Sequence, residues 1–189
     1  MHVRGNDTER VANLLGAAAL AITDDLLTAP VAASSLSMSA AAALIVLHAD
    51  PGVSVTELGR RVGLTQSAAV RMVDGLERGT LVERRRTVGN WTGVHPTGKG
   101  RRTAEHLLSA RTSHLATALD ALDQAEVRAL GGLLEKLLDR LYQGCGAADR
   151  MCRLCDRAAC TPEGGQCPVG AADRAARGRT PDAPGSPGS

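Results

Sequence analysis

Apolar positions mark six helical segments and one short stretch with a different period. Val11, Leu14, Leu15, Ala18, Ile22 and Leu26 recur every three or four residues, which predicts a first helix that Pro30 ends. A second helix is predicted from a Ser37 or Ser39 cap to about Asp50-Pro51-Gly52. Ser54 and Glu57 have capping-box spacing, and Val53 and Leu58 the spacing of a hydrophobic staple, so a short third helix runs to Gly63. Thr65 caps a fourth that reaches about Arg78. Beyond Gly79 the pattern alternates instead. Leu81 to Thr87 and Trp91 to His95 read as two short strands around a Gly89-Asn90 turn. A long helix follows with Ala104, Leu107, Leu108, Arg111, Leu115, Ala118, Leu119 and Leu122 on one stripe. Asp123 and Glu126 open the last helix, striped by Val127, Leu130, Leu134, Leu137, Leu138 and Leu141.

The third and fourth helices have helix-turn-helix spacing. Gly59 is small where two crossing helices approach, and Gly63 suits a turn with positive φ. Leu58, Val62, Leu64, Ala69, Met72, Val73 and Leu76 face inward. The outer face of the fourth helix then presents Thr65, Gln66, Ser67, Val70 and Arg71. Such a helix tip is slim and uncharged. Gln and Ser can hydrogen-bond base edges, Val can touch a thymine methyl, and Arg can reach phosphate or guanine. The helix N-terminus itself favours a phosphate.

Charge sharpens this reading locally. The 189 residues carry a formal net charge of only +2, so nucleic-acid affinity cannot rest on the total. The hairpin region, however, concentrates Arg78, Arg84, Arg85, Arg86, Lys99, Arg101 and Arg102 against Glu77 and Glu83. Arg84, Arg85 and Arg86 are candidate phosphate contacts, with Asn90 at the hairpin tip. Phe is absent, so the core is built from Leu, Val and Ala. The longest purely apolar run, Ala40 to Leu47, is too short to span a bilayer, and the start lacks a signal-peptide core, so a cytoplasmic protein is expected.

The stretch VSVTELGRRVGLTQSAAVRMVDGLERGTLVERR, followed by PTGKG where a Leu-Thr-x-x-Gly stretch is usual, resembles the MarR family of bacterial transcriptional regulators. The resemblance spans roughly residues 8 to 143. It implies a mainly α fold with a small β-hairpin wing: a winged helix-turn-helix at about 36–100. Dimerisation helices at about 8–29 and 98–143 complete the expected 1–143 domain. It further implies a homodimer on double-stranded DNA with a near-palindromic operator, acting as a repressor of its own or neighbouring genes and released by a small-molecule effector or by cysteine oxidation. Val88 and Asn90 stand where the family wing commonly carries Asp and Arg. Asn90 can still hydrogen-bond in a minor groove. From the residues alone, the terminal stripes can equally pack on the central unit as core.

All five cysteines lie beyond residue 144. Cys152, Cys155, Cys160 and Cys167 fall within sixteen residues of chain. A Cys-x-x-Cys loop lets two thiolates meet one metal, and the next two cysteines can complete a tetrahedral set. Gly164 and Gly165 let the chain turn back, and Cys145 is the spare. Zinc is the first expectation for this 144–172 segment. An iron–sulfur cluster is the alternative, since a proline follows the last cysteine. A metal-free dithiol switch and unliganded cysteines complete the options. Residues 173–189, rich in Gly, Pro, Arg and Ser, are expected to be disordered. His48, His95, His106 and His114 are dispersed without metal spacing, and no catalytic motif is present, so no enzyme activity is expected. The competing function is a protein–protein adaptor on the same scaffold, with the cysteines as a structural metal module.

Overall fold

The computed structural model describes residues 3–24, 31, 34–86, 92–142, 144, 147–161 and 166–177. Nine helices and one hairpin are placed among them. They are α1 (Val3–Thr23), α2 (Met38–Ala49), α3 (Val55–Val62), α4 (Gln66–Arg78), β1 (Val82–Arg86), β2 (Thr92–Pro96), α5 (Gly98–Leu119), α6 (Gln124–Leu141), α7 (Ala147–Met151), α8 (Arg157–Cys160) and α9 (Pro168–Arg177).

The core forms around α2, whose Ala40 to Ile45 and Leu47 are all buried. Its alanines let α3, α4, α5 and β2 approach closely, which offsets the lack of aromatic volume. Leu44, Leu47, Leu58, Val73, Val82 and Val94 are the largest side chains sealed from solvent. Helix starts follow the side chains that satisfy the free N–H groups. Ser37 Oγ accepts from Ala40 N (3.2 Å), Ser54 Oγ from Glu57 N (3.2 Å) and Thr65 Oγ1 from Ala68 N (3.4 Å). Asp123 and Glu126 close a complete capping box. At Ser54 only half of the expected box forms, because the Glu57 carboxylate turns to Arg60 and Arg61 instead. Ser54→Ala should therefore lower stability by about 1 kcal/mol, readable in urea denaturation.

The helix-turn-helix closes on two glycines. A Cβ on Gly59 would lie 2.6 Å from Ala69 Cβ, which marks the helix crossing, and Gly63 takes φ +75° in the turn. The wing pairs antiparallel, Val82 with Pro96 and Arg84 with Val94. It is also tied to the loop before α3: Gly52 N donates to Val94 O (2.8 Å) and Val94 N to Val53 O (2.9 Å). The turn at 87–90 and Trp91 lie outside the described residues, as do Leu26 and Pro30 of the first predicted helix.

The terminal helices behave differently from the core. Every side chain described in α1 is exposed, and α6 buries none. Packing on the central unit, the other reading of these stripes, is not what this chain does with α1. The C-terminal region also differs from expectation. Helix α9 continues to Arg177, past the boundary expected at residue 173. It lies against α6, and Tyr142 Oη donates to Asp173 Oδ1 (2.6 Å), so a tertiary contact orders residues whose composition alone reads as tail.

Candidate nucleic-acid interface and cysteine cluster

At the start of α4, Thr65, Gln66, Ser67, Val70 and Arg71 are all exposed. The four-residue spacings Gln66–Val70 and Ser67–Arg71 put two adjacent columns on one helix face. Val70 is 37% exposed, which leaves its methyl groups available on that face. Thr65 both caps the helix and borders that face, its hydroxyl 3.4 Å from that of Ser67.

The arginine run divides into distinct roles. Arg84 is not free for phosphate. It pairs with Asp74 (2.6 Å) and with Glu77, bracing β1 against α4, and these two carboxylates push its pKa upward. Arg85 is exposed but shares Glu83 on its own strand. Arg86 is exposed at the hairpin end. Lys99 and Arg101 donate to the Gly79 and Pro96 carbonyls (3.0 and 3.1 Å). The local positive excess read from the sequence is thus partly spent holding the wing in place. Asn90 lies outside the described residues.

Cys152, Cys155, Cys160 and Cys167 converge on one cavity of about 310 Å³. They reach it from the end of α7, the turn after it, the end of α8 and the residue before α9. Cys160 lies against Cys155 and Cys167, and Cys152 against Cys167. Burial, then the neighbouring sulfurs, pushes Cys152 up to about 11, and the same causes push Cys160 to about 11. Burial and Cys152 raise Cys155 as well. Raised in this way, the Cys152 and Cys160 thiols stay protonated at neutral pH and are slow nucleophiles without a metal. Their placement is a gathering rather than a finished coordination shell: among the described residues, no three His, Cys, Asp or Glu side chains stand ready to hold an ion. Cys145, Gly164 and Gly165 lie outside the described residues.

The cysteine segment also docks on α3. Asp149 of α7 pairs with Arg60 of α3 (2.8 Å), and Arg61 lines the thiol cavity. Arg60 and Arg61 share Glu57, and the Arg60 guanidinium holds that carboxyl at about 2. Arg150 reaches the turn, its Cδ 3.7 Å from where a Gly63 Cβ would sit. Basic residues at consecutive positions 60 and 61 were the only signal of this contact, and they read equally well as a solvated helix face.

Residues 34–90, which contain α2, the helix-turn-helix and β1, match the MarR family. The solved structures similar to the chain extend this likeness beyond the matched residues. A MarR family protein from Bacillus stearothermophilus is 22% identical, with a TM-score of 0.66 over 74% of this chain and 98% of its own. The Mycobacterium tuberculosis MarR family protein Rv2887 in complex with DNA is 23% identical, with a TM-score of 0.54 over 66% of this chain and 95% of its own. The same protein with p-aminosalicylic acid is 25% identical, with a TM-score of 0.53 over 67% and 96%. The chain therefore has the winged-helix fold of these structures, as the resemblance of its central stretch implied. No curated protein sequence matches it. Among the described residues, no helix is long and apolar enough to cross a membrane.

Proposed function

We propose that the chain is a DNA-binding transcriptional regulator, acting as a homodimeric repressor on a near-palindromic operator. The observation that carries this reading is the exposed Gln66, Ser67, Val70 and Arg71 face at the N-terminus of the second helix of a MarR-family helix-turn-helix. Such a face fits the major groove, with base-edge hydrogen bonds from Gln66 and Ser67 and a methyl contact from Val70. Arg71 and Arg86, both exposed, supply phosphate contacts on either side, with Arg85 in exchange with Glu83. Arg84 acts indirectly, by holding the wing.

Dimerisation is supported by the unpacked apolar stripes of α1 and α6. Leu14 and Ile22 on one, and Leu134 and Leu141 on the other, stay exposed in the single chain. A second copy offers the same stripes and closes the assembly by two-fold symmetry. A cleft of about 730 Å³ between α2, α5 and the cysteine segment, lined in part by His48, Glu105 and Arg157, is a candidate site for a small-molecule effector. The cysteines make the regulator metal- or redox-responsive on this reading.

The test is salt-dependent binding to DNA upstream of the chain's own gene. Gln66→Ala should relax preference by about 1–3 kcal/mol at one base pair. Arg86→Ala should weaken all sequences alike and lower the salt slope by about one ion. Equal effects of both changes on every operator variant would remove Gln66 from base reading. Absence of any salt-dependent DNA binding would favour the adaptor.

A further inference from the structure

The cysteine segment has too little apolar material to hold its own shape. Between residues 147 and 177, only Ala147 and Val169 are buried hydrophobics among the described residues. Helices α7 and α8 have five and four residues, far below the length at which a helix stands alone in water. Segments of this size usually need a disulfide or a metal. The four described cysteines are free thiols. Yet they come from four separate backbone positions to one cavity, and little else in the segment explains why they should meet.

We propose that Cys152, Cys155, Cys160 and Cys167 hold one metal centre through four thiolates, and that this centre keeps α7 locked on α3. Binding replaces the four thiol protons, which leave to solvent. A divalent ion with four thiolates retains two negative charges, and Arg157 and Arg174 line the same cavity beside Arg61. The Gly170 N–H already donates to Cys167 Sγ (3.4 Å), the kind of backbone bond that steadies a sulfur ligand. A four-thiolate ion and an iron–sulfur cluster share this ligand chemistry.

The lock runs through named contacts. The centre fixes the end of α7, Asp149 of α7 grips Arg60, and Arg150 rests at the helix-turn-helix turn. Leu154, between Cys152 and Cys155, packs against both core clusters. Loss of the metal frees α7 and loosens α3, on which α4 is stacked through Gly59 and Ala69. This regulatory consequence rests on the DNA-binding reading above; the metal site does not.

The experiment uses the full chain purified without oxygen. Metal and acid-labile sulfide are measured per chain, together with the visible absorbance. One metal centre is expected, colourless with zinc or coloured with iron and sulfide. Each of the four Cys→Ser changes should at least halve the metal content, while Cys145→Ser leaves it intact. Hydrogen exchange in α3 and α7 should accelerate after chelation under reductant, and Asp149→Asn should accelerate α3 exchange while metal is retained. Operator affinity should fall about five-fold or more on chelation, the lower end of ordinary site-to-site coupling. Metal-free wild type, or a quadruple Cys→Ser variant that keeps its metal, overturns the site. A metal-bound chain whose α3 exchange ignores chelation overturns the lock. Failure of both forms to bind promoter DNA instead counts against the DNA-binding reading and leaves the metal site standing.

Discussion

Leu134→Asp combined with Leu141→Asp is expected to convert the protein to a monomer and to weaken operator binding by about 10²- to 10⁴-fold, the range in which linking two reading modules raises avidity. Both leucines lie on α6, 43% and 59% exposed, and this helix buries no residue within its own chain. Two aspartates there cost the folded monomer little, because they replace apolar groups already facing water. In a dimer they place unpaired charge in a dry interface, which association cannot tolerate. Sedimentation reports the assembly state and thermal unfolding reports the integrity of the chain. A variant that stays dimeric at micromolar concentration would remove α6 from the interface. A monomer with undiminished affinity would show that one reading head suffices.

The second large effect is expected at Gly100. Its Cβ, if present, would lie 2.0 Å from the Leu81 carbonyl oxygen and 3.0 Å from the carbonyl carbon. That carbonyl is fixed from two sides, accepting from Thr97 N (3.0 Å) and Thr97 Oγ1 (3.2 Å). Neither the helix start nor the strand entrance can yield without losing the cap that Thr97 Oγ1 provides to Gly100 N (3.1 Å). Gly100→Ala should cost about 3 kcal/mol, the upper end for overpacking. For a chain of this size that is roughly a 6–12 °C fall in Tm. Gly98→Ala, two residues earlier, meets only the Arg102 side chain at 3.6 Å and should change stability by less than about 1 kcal/mol. An equal loss at Gly98 would mean that contact with Leu81 does not govern the site, because Gly→Ala by itself favours a helix.

Gly100 shows why part of this molecule could be read early and part could not. PTGKG was recognisable as a family-like opening of α5, but the reason for its last glycine is a carbonyl nineteen residues upstream. The same division holds elsewhere. Ser37, Ser54, Thr65 and Asp123 were readable as helix caps because each acts on an N–H two or three residues away. The exposed face from Gln66 to Arg71 followed from helical period alone.

Arg84 looked like one of three equivalent cations. Only the packing of β1 on α4 brings it to Asp74 and Glu77, ten and seven residues away, and converts it to a brace. The cysteine spacing pointed to a meeting of the four thiols, and they do line one cavity, since local loops bring such thiols together. Its docking did not: Arg60 and Asp149 are 89 residues apart, and nothing in either local pattern marks the other. Interactions closed within one helical turn are legible in local residues: the helices, their caps, the turn at Gly63 and the presented face of α4. Which charges are neutralised, which glycines tolerate no side chain and where the cysteine segment rests depend on groups that meet only after the helices have packed.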